Sequence, residues 1–421
     1  MTSAIPGFPL RRDCIYFQGY NHDAVRREIC DINLHKGPMK ASPMTETVVA
    51  LTPQATALAL LLESAGTPHQ LCTYKGALTP RVLDAPERET DALANGAAVH
   101  DLGWIKRVAV RGEDRFRWLS GMVTNMVHGL EPNTGAWNLV LNAQGRIQGD
   151  LYVWREGHQL PPHVDELPAG DSGLVLQIAS DQYERLMAHL ERFIIMDDVE
   201  LTLLSGEAAL GLTGPLGPEL LDRLGLPALE KPLTEARVEW NGLNLRIARG
   251  YGVLVDHYEL WAPVARLGKL WKALRTAGAT SVGSAAVDAF RIAEGIPAFG
   301  IDMVERDLPQ ETSQMRALHF SKGCYLGQEI VERIRSRGNV HRHLRQLELT
   351  GSVPAGGTEL TAEGDVIAGH ITSAAEMKLA SGSRVFALGM LKGEAEARNL
   401  PLAYAGGTAR ILGSAPDFAT N

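Results

Sequence analysis

The stretch Lys322–Glu329 reads Lys-Gly-Cys-Tyr-Leu-Gly-Gln-Glu and is richer in chemically active groups than any other part of the chain. Gly323 and Gly327 flank a Cys–Tyr pair, which is typical of a tight loop whose backbone adopts unusual dihedral angles or approaches a ligand closely. Lys322 lies two residues before Cys324, and a nearby cation favours the thiolate, the reactive form of cysteine. The stretch therefore predicts a loop that carries a reactive thiol.

A basic run follows this loop and extends the positive surroundings in which the pKa of a thiol falls. A lone cysteine is usually a small buried hydrophobic residue, and a basic run is usually a solvated face. The combination with two glycines favours a functional site over both of these ordinary roles. The run comprises Arg333, Arg335, Arg337, His341, Arg342, His343 and Arg345.

The eight residues resemble the KGCYxGQE signature of the YgfZ-type folate-binding proteins, which support iron–sulfur proteins. That family is related to the T-protein (aminomethyltransferase) of the glycine cleavage system. Two upstream segments match as well: Arg291–Gly300 is similar to the family's Arg-Ile-x-x-Gly-Ile-Pro segment, and Leu308–Glu311 matches Leu-Pro-x-Glu. The order and spacing of the three segments strengthen the assignment, and the resemblance covers roughly residues 97–412.

The resemblance implies an α+β fold, a three-module ring of the T-protein/YgfZ type with a C-terminal β-barrel and a central channel for tetrahydrofolate or a derivative. It implies a folate-binding accessory protein for iron–sulfur cluster assembly or repair. Cys324 is then the reactive thiol and Lys322 the cation that favours its thiolate. Within the same loop, Tyr325, Gln328 and Glu329 become candidate folate-binding residues, and the last two are expected to anchor the loop by hydrogen bonds.

Asp150, in the segment Gln144–Leu151, is a second candidate site residue. A carboxylate at a pocket mouth can accept hydrogen bonds from the amino group and ring N–H of a pterin, although an acid at a turn or strand edge is the more common occurrence. In the T-proteins the segment resembles Gly-Gly-x-x-Asp-Asp-Leu, and an aspartate there supports aminomethyl transfer. Here Gly149 replaces the first aspartate, and this departure puts transferase chemistry in doubt. The segment is similar instead to the YgfZ branch, in which the acidic pair is not kept.

Three further residues are candidates for holding a folate. Tyr251 supplies a flat ring that can stack on a pterin, although most aromatic residues belong to the core. Arg249 and the arginines after residue 333 can hold the glutamate tail. Arg291 belongs to a segment that resembles the family, but it lies one helical turn from Glu294, a spacing typical of a surface ion pair of little energetic value.

Composition narrows the class of protein. The 421 residues suggest two or three domains, and 45% hydrophobic and 21% charged residues are ordinary for a globular protein. A net charge of −8 argues against a bulk nucleic-acid binder. The four scattered cysteines argue against a disulfide framework and a closed zinc site, and a reducing cytoplasm fits them best. No membrane-spanning run is present, and the thirteen histidines show no metal-ligand spacing, so neither membrane nor metal is predicted.

The chain is expected to divide into four parts: a tail over residues 1–43, α+β domains over 44–200 and 201–340, the second carrying the cysteine motif, and a small β-barrel over 341–421. The tail is either disordered or an over-long start, with Met39 or Met44 as the true first residue.

Local patterns give further expectations. Residues 67–95 are interpreted as a connecting loop and 251–256 as a strand. Asp181–Met196 is a helix with Asp181 and Glu184 as its capping box. A Rossmann nucleotide site is not supported, because no Gly-x-Gly-x-x-Gly follows a strand.

Two other functions remain open. The first is a tetrahydrofolate-dependent aminomethyltransferase or demethylase that relies on Asp150, and this is the activity implied if the chain is an enzyme at all. The second is a tRNA-modification partner that binds RNA through the basic run. The expected partners are thus folate and iron–sulfur client proteins, with tRNA under the second alternative.

Overall fold

The computed structural model describes residues 52–157, 173–338, 340–362, 366–398, 400–414, 416 and 418. The expected tail over residues 1–43, with its alternative starts, lies outside the described residues. Helices α1 to α9 of the described part span Ala57–Ser64, Pro86–Asn95, Arg115–Met122, Ser180–Glu191, Gly217–Arg223, Leu267–Thr276, Ser284–Ala293, Gln328–Arg337 and Gly393–Ala397. The helices in this part are all too short or too polar to cross a membrane.

The strands fall into a small sheet, a large sheet and a barrel. Strands β1 to β20 span Gln54–Ala55, Gln70–Tyr74, Ala77–Val82, Ala98–Asp101, Ile105–Arg111, Thr134–Leu141, Ile147–Arg155, Leu174–Ala179, Glu200–Leu204, Glu207–Thr213, Thr234–Trp240, Leu243–Arg249, His257–Pro263, Thr280–Ser281, Arg342–Gly351, Glu359–Ala362, Val366–Leu379, Gly382–Lys392, Leu402–Tyr404 and Gly407–Ile411.

The large sheet has eleven strands in the order β14-β4-β10-β13-β12-β11-β6-β7-β8-β5-β9. Its two halves join where Thr234 of β11 pairs with Thr134 of β6. Backbone hydrogen bonds flank this pair, since Gly135 N–H donates to Leu233 O at 2.8 Å and Glu235 N–H donates to Asn133 O at 2.9 Å. The junction is short, so side chains must contribute to holding the halves together.

Buried ion pairs connect strands on both sides of this junction. Arg107 of β5 donates to Glu156 and to Glu207, each at 2.7 Å, and Arg237 of β11 reaches the same Glu156 oxygen at 3.1 Å. Burial lowers the pKa of Arg107 to about 10, which still leaves it charged at neutral pH. Each carboxylate is therefore matched by a guanidinium, as a buried charge requires.

The apolar residues of the helices pack on the large sheet as their spacing predicts. Leu267, Leu270, Trp271 and Leu274 of α6 are all buried, and they recur at the i, i+3, i+4, i+7 spacing of one helical face. Burying such a side chain stabilises a fold by roughly 1.5–3 kcal/mol. This stripe therefore fixes α6 against one half of the sheet.

The C-terminal strands form a closed barrel in the order β15-β18-β17-β16-β19-β20. Its interior contains Leu347, Leu360, Ile371 and Leu391, each with no exposed surface. The predicted small β module and the α+β class are confirmed. The domain boundaries at 200 and 340 remain predictions.

The expectation that residues 67–95 form a connecting loop is wrong. This stretch contains the hairpin β2–β3 and helix α2. The hairpin turns at Lys75–Gly76, and Pro86 occupies the first turn of α2, where a missing N–H costs nothing. Helix α2 is rich in charged residues, and β3 contains Pro80, which is unusual within a strand, so neither element shows a clear period in the sequence.

Two local predictions need correction. Helix α4 begins at Ser180, after Ala179 at the N-cap position, without a side-chain cap from Asp181. The expected strand over 251–256 is irregular, and β13 begins only at His257. The buried residues Leu186, Met187 and Leu190 nevertheless form the predicted apolar stripe of α4.

Candidate active site

A cavity of about 420 Å³ is lined by both halves of the large sheet, by α4 and α7, and by the β2–β3 turn. Its volume lies within the roughly 300–1,000 Å³ that is usual for small-molecule sites. Three of the predicted folate-binding residues, Asp150, Tyr251 and Arg291, lie on its wall. The cavity is therefore the candidate site.

Asp150 is held in place by neutral donors. Trp137 Nε1–H donates to its Oδ2 at 2.9 Å, and Gln182 Nε2–H donates to its Oδ1 at 3.0 Å. The Asp150 backbone N–H in turn donates to Gln182 Oε1 at 3.0 Å. The carboxylate is thus fixed in orientation, and each oxygen retains one lone pair for a ligand.

Gly149 packs closely against two side chains of α4. A Cβ atom at this position would lie 2.7 Å from Gln182 Oε1 and 2.9 Å from Leu186 Cδ2. The acidic pair of the T-proteins would therefore require the flexible ends of Gln182 and Leu186 to move.

Glu259, on β13, is a wall residue that the sequence analysis missed. Its Oε2 accepts hydrogen bonds from Gln177 Nε2 at 2.9 Å and from Trp261 Nε1 at 2.8 Å. Its Oε1 accepts none from the residues that the structure describes. A second oriented carboxylate with a free oxygen therefore lies on the cavity wall.

Arg291 and Glu294 do not form the expected surface ion pair. Both are buried, and Arg291 binds Asp302 Oδ2 and Asp288 Oδ1, each at 2.6 Å. Burial alone would lower the pKa of Arg291, but the two aspartates raise it above its ordinary value. Arg291 is therefore a permanent cation on the wall, bound on one side by acids from α7 and the following loop.

Glu294 instead anchors the segment before β13. Its Oε1 accepts the backbone N–H groups of Val253 and Leu254 at 3.0 and 3.1 Å, and its Oε2 contacts His257 Nε2 at 2.9 Å. Burial alone would lower the pKa of His257, but the Glu294 carboxylate raises it above its ordinary value. The pair places a protonatable ring at the cavity.

A hydroxyl links this ring to a second histidine. Thr213 Oγ1 lies 2.9 Å from His257 Nδ1 and 3.0 Å from His100 Nε2. Burial, with the charge of His257 nearby, lowers the pKa of His100 to about 3, so His100 is neutral at physiological pH. Of the two histidines, His257 is therefore the one whose protonated form the site favours.

Arg249 does not line the cavity. Its guanidinium donates to Leu229 O at 2.9 Å and also contacts Glu230 O and Asp256 Oδ1. Tyr251 does line it, and the Arg316 guanidinium lies 3.8 Å from the centroid of its ring. A role for Arg249 in folate binding remains a prediction that this geometry does not support.

The Cys324 loop lies outside the cavity wall. Cys324 is exposed, whereas Lys322 is buried and its amine donates to Ser120 O, Val123 O and Asn125 O at 2.9, 2.6 and 2.7 Å. Burial lowers the pKa of Lys322 to about 7, while three carbonyl acceptors favour its protonated form. Lys322 thus ties the loop to the end of α3, and its influence on the thiol remains a prediction.

The other loop residues have distinct surroundings. Tyr325 is buried, which raises the pKa of its phenol to about 12. Gln328 Oε1 accepts the Tyr325 N–H at 3.3 Å, as expected of a residue that anchors the loop. Glu329 is exposed and makes no side-chain hydrogen bond within the described residues. None of these three lines the cavity, so their assignment to folate binding stays a prediction.

Part of the basic run is neutralised. Arg342 binds Asp307 at 2.7 Å and Glu311 at 2.9 Å, while Arg345 binds Glu396 at 2.6 Å. His343 contacts the same Glu396 at 3.0 Å. These pairs leave less positive charge for RNA than the sequence suggests.

Sequence reasoning missed Glu259, His257 and Lys75. Glu259 and His257 flank Tyr258 at the start of an apolar run, and a lone acid in such a strand is a usable signal for a functional carboxylate. Lys75 lies in the stretch interpreted as a loop, and no feature of the sequence marks it.

A profile of the GCVT N-terminal domain matches residues 67–322, more than half of the chain. An aminomethyltransferase from Geobacillus kaustophilus is 25% identical over 305 residues, which is 70% of this chain and 79% of the relative. A chloroplastic protein from Arabidopsis thaliana, named only as a transferase candidate, is 24% identical over 322 residues, 74% of this chain and 69% of the relative. The glycine cleavage system aminomethyltransferase T from Bartonella henselae superposes with a TM-score of 0.72 at 18% identity, covering 85% of this chain and 96% of that one.

Proposed function

We propose that this chain, which belongs to the GCVT N-terminal domain family, binds a reduced folate in its cavity and supports the assembly or repair of iron–sulfur proteins through Cys324. The observation that carries the folate part is the pair of oriented carboxylates, Asp150 and Glu259, on the wall of one cavity that also contains Tyr251. The iron–sulfur part rests on the resemblance of the cysteine loop to the YgfZ-type signature.

The wall residues suit a pterin. A pterin presents N–H donors along one edge and a flat face, and carboxylate oxygens accept such donors strongly. The free Oε1 of Glu259 and the remaining lone pairs of Asp150 are the acceptors, and Tyr251 offers a ring for stacking. A bound tetrahydrofolate would supply a carrier for one-carbon groups. The chain's own contribution is to orient the pterin, because Trp137 and Gln177 hold these acceptors in fixed positions.

The exposure of Cys324 suits contact with another protein. The loop is held by one residue on each side of Cys324 in the sequence. Lys322 donates to the Val123 carbonyl, and Gln328 accepts the Tyr325 N–H. A rigid loop with an exposed thiol can present that thiol to a client without rearrangement. The thiol and the folate cavity are thus proposed as two separate sites of one accessory protein.

The test is rescue of a strain that lacks the protein, scored by the activity of an iron–sulfur enzyme. Wild type and Cys72→Ala should restore activity, whereas Cys324→Ala and Glu259→Gln should not. Cys72 is the matched control, because it is a half-buried cysteine far along the chain that contacts Ser284. Undiminished enzyme activity in the deletion strain would refute the iron–sulfur role, and full rescue by Cys324→Ala would show that the thiol is dispensable.

Aminomethyl transfer is the second candidate function, and the position of Asp150 on the cavity wall favours it. The replacement of the first aspartate of the T-protein segment by Gly149 argues against it. The test is to incubate the purified protein with an aminomethyl carrier and tetrahydrofolate and to measure methylenetetrahydrofolate. Formation of this product by wild type and not by Asp150→Asn would establish a transferase.

A further inference from the structure

The turn of the β2–β3 hairpin holds a lysine in an unfavourable backbone conformation. Lys75 has φ of 46° and Gly76 has φ of 83°, so both turn residues are left-handed. Two-residue turns of this kind prefer Asn or Gly at the first position, because a longer side chain is strained there. A lysine at this position is therefore unusual, and strained backbone positions of this kind are often found at functional sites.

The turn is docked firmly on α4. The Asp181 N–H donates to Lys75 O at 3.2 Å, and a Cβ atom on Gly76 would lie 2.4 Å from Asp181 N. The backbone of Lys75 therefore has a fixed position against the start of the helix. This contact directs the side chain to the cavity wall.

The amine of Lys75 lies among aromatic rings. Its Nζ is 4.1 Å from the centroid of Trp104 and 5.6 Å from that of Tyr74, and the two rings meet edge to face at 5.8 Å. Within the part of the chain that the structure describes, the amine forms neither a hydrogen bond nor an ion pair. This is notable because several carboxylates line the same cavity.

The charges around the amine come from α4, α7 and β7. Burial lowers the pKa of Lys75, and Arg291 acts in the same direction, while Asp150, Asp181 and Asp288 oppose them without restoring the ordinary value. A lysine that loses its proton more readily has more of the neutral, nucleophilic amine at neutral pH.

We propose that Lys75 is a nucleophilic amine that captures a small aldehyde in the cavity as an imine. The grounds are the strained and docked turn, the place of Lys75 on the cavity wall and the absence of a hydrogen bond or ion pair from the described residues to Nζ. The substrate class is a small aldehyde, since the amine needs a carbonyl carbon and shares a cavity of about 420 Å³ with the proposed folate. The inference adds a covalent site to that cavity.

The chemistry balances without a redox partner. The lone pair of Nζ attacks the carbonyl carbon and gives a carbinolamine, and loss of water then leaves a C=N bond. The departing hydroxyl takes up one proton and the nitrogen releases one, and both exchange with water, so no acid is consumed overall.

The experiment treats the full chain with limiting formaldehyde and sodium cyanoborohydride, without folate, and measures methylation of each lysine by mass spectrometry. Lys272 on α6 is the internal reference, because its side chain is exposed. At neutral pH Lys75 should react several-fold faster than Lys272, since each unit of lowered pKa gives about tenfold more neutral amine. The advantage should shrink as the pH rises, because the neutral fraction of an ordinary lysine increases with pH.

Two variants complete the test. Lys75→Arg should remove the fast methylation, and Lys272→Arg should leave it unchanged. A rate at Lys75 that is equal to or below that of Lys272 in the folded protein would overturn the proposal, as would an unchanged advantage after unfolding in urea. Because folate is absent, such a failure leaves the proposed folate site standing.

Discussion

At the scale of single residues, the two glycines of the Lys322–Glu329 loop have different roles. Gly327 has φ of 81°, and a Cβ atom there would lie 2.6 Å from Asn142 O. Gly323 lacks a positive φ, and a Cβ atom there would meet no described atom within 4 Å. The backbone of the motif therefore depends on Gly327 and tolerates a side chain at position 323.

We expect Gly327→Ala to lower the free energy of unfolding by about 2–4 kcal/mol, because it combines a left-handed backbone with a clash against a fixed carbonyl. Gly323→Ala should change it by less than ~0.5 kcal/mol. Urea denaturation of the two variants beside wild type measures both values. Equal losses would mean that the loop is not docked as described.

At the scale of elements, the His257–Glu294 pair ties the first residue of β13 to the end of α7. The pKa of His257 is raised in the folded chain, so its contribution to stability is complete below the ordinary histidine pKa and is lost as the pH rises through the raised value. We expect the difference in unfolding free energy between wild type and His257→Gln to be larger near pH ~6 than near pH ~9.

Urea denaturation of both proteins across this pH range checks the expectation, since comparison with the variant cancels other titrating groups such as Asp101, whose pKa burial raises to about 6. A difference that is constant with pH would show that His257 does not carry a proton shared with Glu294. A difference that grows with pH would mean that the pKa of His257 is lowered in the folded chain.

The sequence identified the elements whose buried residues recur at a regular spacing. The stripe of α6 and the short barrel strands are of this kind. The β2–β3 hairpin was missed because Pro80 lies within β3 and because the turn carries Lys75 where Asn or Gly is usual. In the site, Asp150 and Arg291 were predicted from segments that resemble the family and Tyr251 from its flat ring. Glu259 lies within an apolar strand, and its position in the site follows only from the pairing of β13 with β12 and β10.

At the scale of the whole molecule, a buried ion pair joins two strands of the large sheet beside the junction of its halves. Glu235 of β11 binds Arg246 of β12 at 2.5 Å, and both side chains are almost completely buried. Removing one charge leaves the other unpaired in a low-dielectric interior, which typically costs about 3–5 kcal/mol.

We therefore expect Glu235→Gln to lower the free energy of unfolding by about 3–5 kcal/mol. Glu239→Gln is the matched control, because Glu239 lies on the same strand and is exposed, and it should be nearly neutral. Thermal and urea denaturation compare the two. A neutral Glu235→Gln would mean that solvent reaches Arg246.

The proposed role of the cavity is to bind a reduced folate through Glu259 and Asp150. Its most direct test is titration of the purified chain with 5-formyltetrahydrofolate, followed by the fluorescence of Trp104 and Trp154, which line the cavity. We expect saturable binding to wild type and to Glu239→Gln, and binding at least about tenfold weaker to Glu259→Gln, since a charged hydrogen bond is worth about 1.5–3 kcal/mol. Absence of binding to wild type, or equal affinity in Glu259→Gln, would contradict the claim.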